Sequence, residues 1–305
     1  VRAERVIRRR HEEFTGQMAK KLHADEIQIG EELVRALLQA QFPAWAEEEL
    51  AEVESSGTDH VLYRIGDELV ARLPRTESAA KQTARVVQWL PIVAPHLPIA
   101  VAAPVGVGEP GEGYPFAWTV TPWIEGEEAF NGRTIKGRRP FLALGRFLHE
   151  LHSIDPTGGP APGPENFWRG EPLQARDEAT RAAFEQIANE LSLPLMAKAW
   201  KRALAAPRLE GPGCWVHGDL APGNVIVADN RVAAVIDWGG MAVGDPACDY
   251  ALVWSLAKPG GPPVWDLATR ADAATIARAR GWALSVAAIQ LPYYRETNPE
   301  LASQA

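Results

Sequence analysis

Sulfur is scarce in this sequence: it holds two cysteines, Cys214 and Cys248, with no CxxC pair and no metal-ligand spacing. A disulfide framework and a thiolate zinc site are therefore not expected, and two buried thiols in a reducing compartment are. No apolar run approaches the roughly 20 residues that cross a bilayer, and no secretory core opens the chain. A cytoplasmic protein without a membrane partner is the expectation. Positive charge is also short, with 31 Lys and Arg against 39 Asp and Glu, a formal net charge of -8. A nucleic-acid partner is not expected from that balance, because such binders must neutralise phosphates. The turn-rich stretch Ser55-Ser56-Gly57-Thr58-Asp59 carries neither a GxGxxG run nor a Walker pattern.

The chain has 305 residues and is 46% hydrophobic, a length that suits a two-lobed unit with a sizeable core. The Arg-rich segment before Met18 reads as part of an extension, 1–23, without a role in the chemistry. Leu33, Val34, Leu37 and Leu38 stand at helical spacing. Val61–Ile65 and Glu68–Leu73 flank a Gly66-Asp67 turn and predict a β-hairpin. A helix is expected over 77–90, broken by Pro91 and then by Pro95 and Pro98. Val105–Gly108 and Ala117–Pro122 are further strand candidates.

Beyond Gly126 the pattern turns helical, with Phe141, Leu144, Leu148 and Leu151 on one face. Two short β runs, 225–227 and 232–236, enclose an Asp229-Asn230 turn. The expected fold class is α+β, a small sheet-rich first lobe followed by a larger helical one.

The chemistry concentrates in the segment His217-Gly218-Asp219-Leu220-Ala221-Pro222-Gly223-Asn224 and in Val235-Ile236-Asp237-Trp238-Gly239. A carboxylate and an amide lie five positions apart in a loop before one strand, and a second carboxylate ends the next strand. Phosphoryl transfer needs such a set: one carboxylate to orient a hydroxyl and take its proton, an amide oxygen and another carboxylate to hold Mg²⁺ on the phosphates.

With Gly244-Asp245-Pro246-Ala247-Cys248-Asp249-Tyr250, these residues resemble the aminoglycoside phosphotransferase family, whose fold is the bilobal protein-kinase-like one. The resemblance runs from about Ala24 onward. It implies a nucleotide-binding N-lobe over 24–122 and a catalytic, acceptor-binding C-lobe over 123–305. It also implies Asp219 as catalytic base and Asn224 and Asp237 as Mg²⁺ ligands. His217 would shape the loop, and Asp249 would be a buried brace beneath it. ATP or GTP is the implied donor. Ser56 and Gly57 fall where the family covers the triphosphate with a loop, and Arg72 falls where a strand lysine usually meets the phosphates. The Pro122 carbonyl and Ile124 N–H would meet the purine at the connector between lobes.

Arg72 departs from the family's lysine, and its helix partner is open: Glu77 pairs with it, Gln82 substitutes, or the pair is absent. The acceptor is a hydroxylated small molecule. An aminoglycoside or other antibiotic and a hydroxylated metabolite both fit, as does, with no transfer at all, a nucleotide-binding pseudokinase. Asp177, Glu178, Glu185, Glu190 and Glu296 are the acids available to a cationic acceptor, and Tyr293 and Tyr294 could line its pocket.

Overall fold

The computed structural model describes residues 27–53, 59–129, 135, 137–256, 271–296 and 298–305. Ser56 and Gly57 lie outside the described residues.

The first lobe is built on an antiparallel sheet. Strands β1 (Leu50–Glu52), β2 (His60–Ile65), β3 (Leu69–Pro74), β5 (Gly106–Gly108) and β6 (Trp118–Pro122) lie in the order β1-β2-β3-β6-β5. Alternation sets its inner face: Val61, Tyr63 and Ile65 of β2 are buried while their neighbours are half-exposed. Helix α1 (Glu31–Gln41) covers that face with Val34, Leu37 and Leu38.

Helix α2 (Glu77–Val93) starts where the Thr76 hydroxyl accepts the Ala79 N–H at 3.3 Å. It continues past Pro91 to Val93, where the sequence predicted a break. Pro91 is exposed and stands two residues from the helix end, so the missing donor costs one terminal hydrogen bond and no more. Leu90 and Val93 are buried in the core of the second lobe, which docks α2 across the junction.

The second lobe centres on helix α3 (Arg139–Ser153), whose Phe141, Leu144, Leu148 and Leu151 are all buried. Each such side chain contributes about 1.5–3 kcal/mol of burial. Helices α4 (Asp177–Gln186) and α5 (Leu193–Leu204) pack with the long α8 (Ala273–Tyr294). The hairpin of β9 (Val225–Ala228) and β10 (Arg231–Val235) turns through Asp229 and Asn230, both left-handed at φ 49° and 57°. It gains a strand on each side, β4 (Ala100–Val101) parallel to β10 and β7 (Glu127–Glu128) antiparallel to β9. A separate pair, β8 (Cys214–Val216) with β11 (Ala242–Gly244), leads into α6 (Ala247–Tyr250) and α7 (Leu252–Leu256). Cys248 is buried and Cys214 half-buried, both free thiols; burial pushes the Cys214 thiol up to about 12. Among the described residues no helix is long and apolar enough to cross a membrane.

Candidate active site

The loop between β8 and β9 is shaped from below. Asp249 of α6 is fully buried, and its carboxylate accepts the main-chain N–H groups of His217 at 3.0 Å and Gly218 at 2.9 Å. His152 of α3 donates to the same carboxylate at 3.1 Å. Burial alone would raise the Asp249 pKa, but the His152 hydrogen bond and charge, with the Gly218 N–H, hold it below the ordinary carboxylate value. Asp245, the residue directly after β11, anchors the same segment. It receives both arms of the Arg278 guanidinium, at 2.6 and 3.1 Å, and so ties α8 to this floor.

His217 then locks loop to hairpin. Its Nε2 lies 3.0 Å from the Ile236 carbonyl, which can only accept, so Nε2 carries the proton. Nδ1 is left to accept the Asp219 N–H at 3.2 Å. Gly218 sits at φ 81°, and a Cβ there would meet the Gly240 carbonyl oxygen at 2.1 Å. Only glycine fits.

These constraints bring the three oxygen-bearing residues of the motif to one end of the hairpin. The Asn224 side-chain amide donates to the Asp219 main-chain carbonyl at 2.8 Å, and the Ile236 N–H donates to the Asn224 carbonyl at 3.0 Å. Asp237 comes next in the left-handed region at φ 63°, which turns the chain sharply out of β10. Left-handed backbone at a residue other than glycine costs about 1–2 kcal/mol.

Arg72 of β3 reaches Asp237 across the cleft, Nη2 to Oδ1 at 3.6 Å. Neither helix partner considered from the sequence takes it. Glu77 pairs with Lys81 at 3.4 Å, one turn along its own helix, and Gln82 donates to Asp59 at 3.1 Å. A narrow cavity between the lobes is lined by Arg72, Gln82, Thr121, Asp237 and Gly239. The Thr121 hydroxyl is buried there without a hydrogen-bond partner among the described residues. His60, half-buried beside it, contacts the Thr83 hydroxyl at 3.0 Å, and burial first, then Arg72, lowers its pKa to about 3. Pro122 ends β6, and Ile124 lies two residues on in the connector, half-buried.

One feature escaped sequence reading. Arg169 lies fifty residues upstream of Asp219, in Asn166-Phe167-Trp168-Arg169-Gly170, yet its Nη2 stands 2.7 Å from Asp219 Oδ1. The Tyr294 hydroxyl pKa is raised by burial, then by Tyr293, then by the carboxylates of Asp219 and Asp59, so the end of α8 also borders the cleft. Its neighbour Tyr293 packs edge-on against it. The acids considered for a cationic acceptor do not gather there. Asp177 pairs with Arg181 at 2.7 Å and accepts from Trp200, Glu190 pairs with Arg295, and Glu178, Glu185 and Glu296 are exposed.

Among the described residues no three His, Cys, Asp or Glu side chains form a metal cluster. One amide and one carboxylate is the smaller set that suits Mg²⁺, which shares its shell with phosphates and water. The donor chemistry fits: the Asn224 nitrogen is committed to a carbonyl, which leaves its side-chain oxygen for a cation.

Residues 49–282 match the model of the phosphotransferase enzyme family. No curated protein sequence matches the chain. The fold is similar to the GDP and kanamycin complex of APH(2")-IIia, with a TM-score of 0.67 and 15% identity over 89% of this chain and 95% of that one. It is similar to the streptomycin-ATP-APH(2")-IIa ternary complex, with a TM-score of 0.60 and 18% identity over 91% and 97%. It is also similar to macrolide 2'-phosphotransferase MphH from Brachybacterium faecium, with a TM-score of 0.57 and 23% identity over 90% and 97%. The two lobes are those of the protein-kinase-like α+β fold.

Proposed function

The chain belongs to the phosphotransferase enzyme family, and we propose that it moves the γ-phosphoryl group of ATP or GTP to a hydroxyl of a small molecule. The observation that carries the reading is the hydrogen-bonded convergence of Asp219, Asn224 and Asp237 at one hairpin end, facing Arg72 across the cleft. Similar folds have been solved with GDP and with ATP, which supports a nucleotide donor.

In this reading the Asp219 carboxylate accepts the proton of the acceptor hydroxyl as the oxygen attacks, and holds that oxygen in line. Asn224 and Asp237 would hold Mg²⁺, which neutralises charge on the phosphates when bound. Arg72 turns from Asp237 toward the phosphates, a guanidinium doing what an ammonium usually does. The Pro122 carbonyl and the Ile124 N–H meet the purine edge, and Ser56 and Gly57 cover the triphosphate. The acceptor approaches from the C-lobe side, past Tyr294.

An antibiotic acceptor is favoured by the aminoglycoside and macrolide enzymes of similar fold. The engagement of Asp177 and Glu190 with their own cations favours an acceptor less cationic than an aminoglycoside. Nucleotide consumption against a panel of macrolides, aminoglycosides and hydroxylated metabolites tests the reading. Stoichiometric phosphorylation of one member is the expected result, and nucleotide binding with no transfer to any acceptor or to water would leave only a pseudokinase.

A further inference from the structure

Arg169 lies outside every motif that marks the site, yet its guanidinium contacts Asp219 at 2.7 Å. Its side chain is only 15% exposed, and the turn that carries it is built to aim it. Phe167 and Trp168 both adopt left-handed backbone, at φ 55° and 61°, a conformation that bulky residues rarely hold. Asn166, 1% exposed, fastens this turn: its oxygen accepts the Gly163 N–H at 2.9 Å, and its nitrogen donates to the carbonyls of Arg169 and Gly240 at 2.9 and 3.2 Å. Arg176 ties down the Phe167 carbonyl at 2.6 Å, and the Asp245 N–H ties down that of Gly170 at 2.7 Å. The Phe167 ring then lies 5.5 Å from the guanidinium carbon, which restricts the arginine further. Gly240 is the residue whose carbonyl also abuts Gly218 of the Asp219 loop. The turn and the loop thus share one anchor.

We propose that Arg169 is the positioning residue of Asp219, fixing the carboxylate in the cleft and placing a positive charge beside the phosphoryl group in flight. The proposal rests on the phosphotransferase reading above. The contact is to Oδ1, so Oδ2 is the oxygen assigned to the acceptor's proton. Charge spreads over the equatorial phosphate oxygens as the group transfers, and a guanidinium held at this spot stabilises it without reorganising.

The test uses the full chain with Mg²⁺ and ATP or GTP, water serving as acceptor and released phosphate as readout. Arg169→Ala should lower kcat about 10²-fold while nucleotide KM stays within about twofold. Its melting temperature and calorimetric nucleotide affinity should match the wild type. Millimolar guanidinium should restore part of the rate in Arg169→Ala and none in the wild type, a response that lost packing alone would not produce. Arg169→Lys should fall between, since it keeps the charge and loses the fork. An unchanged or increased kcat in Arg169→Ala would overturn the proposal. If the alanine variant does not fold, Arg169→Lys decides: a rate equal to wild type, or a lowered melting point accounting for the whole loss, also overturns it. A wild-type protein that releases no phosphate and phosphorylates no member of the acceptor panel would end the parent reading and this one with it; where a panel member alone turns over, the same comparison of variants is read on it. A wild type that turns over beside an equally active Arg169→Ala ends this one alone.

Discussion

Asp249 accepts the main-chain N–H of His217 at 3.0 Å from a position with no solvent exposure at all. The relationship makes a buried charge the template of the Asp219 loop, because the same carboxylate also takes the next N–H, that of Gly218. Removing it leaves two buried donors and His152 unanswered. Asp249→Ala should therefore cost about 3 kcal/mol or more in denaturant unfolding. Asp249→Asn, which keeps one acceptor, should cost less. A loss below about 1 kcal/mol for the alanine variant would show that the loop holds itself.

Gly218→Ala should be poorly tolerated although it adds one methyl group. The new Cβ would stand 2.1 Å from a main-chain oxygen that has no flexible side chain to yield, at a φ that alanine disfavours. Expected are a melting point lowered by more than about 4 °C and loss of turnover. A variant indistinguishable from wild type in a thermal scan would contradict this geometry.

His60 makes stability depend on mild acid. Burial, Arg72 and Arg75 lower its folded pKa and Asp237 opposes them, with a result of about 3. That lies below the ordinary value of 6.5, so the unfolded chain takes the proton first. The contribution is whole above about pH 6.5 and is lost progressively as pH falls toward 3. Asp249 acts in the same direction only below the ordinary carboxylate value of 3.8, which leaves the window between for His60 alone of the two. The melting point should fall between pH 6.5 and about 4, and His60→Gln should flatten that slope. An equal slope in both proteins would remove His60 as the cause.

How much of this was legible in the residues differs by element. The short apolar runs of β2 and β3, the Gly66-Asp67 turn between them and the apolar face of α3 were plain, because each is a local pattern that the fold keeps. β4, β7 and β11 were not, since strands of two or three residues owe their existence to the partner they find. At the site, Asp219, Asn224 and Asp237 announce themselves by spacing. Arg169 does not, because what brings it to Asp219 is a turn defined by two left-handed aromatics and a buried Asn166, which no periodicity encodes. Arg72 shows the opposite limit. Its position was readable, but its partner Asp237 comes from the other lobe and replaces the helix acid that sequence reasoning sought.

The most direct measurement is turnover and nucleotide affinity determined together for wild type, Asp219→Ala and Asp237→Ala, with Mg²⁺ varied. Asp219→Ala should lose about 10²-fold or more in kcat and bind Mg²⁺-nucleotide as wild type does, whereas Asp237→Ala should bind it more weakly and need more Mg²⁺. Equal kcat in Asp219→Ala, or an unchanged Mg²⁺ requirement in Asp237→Ala, would contradict phosphoryl transfer at this cleft.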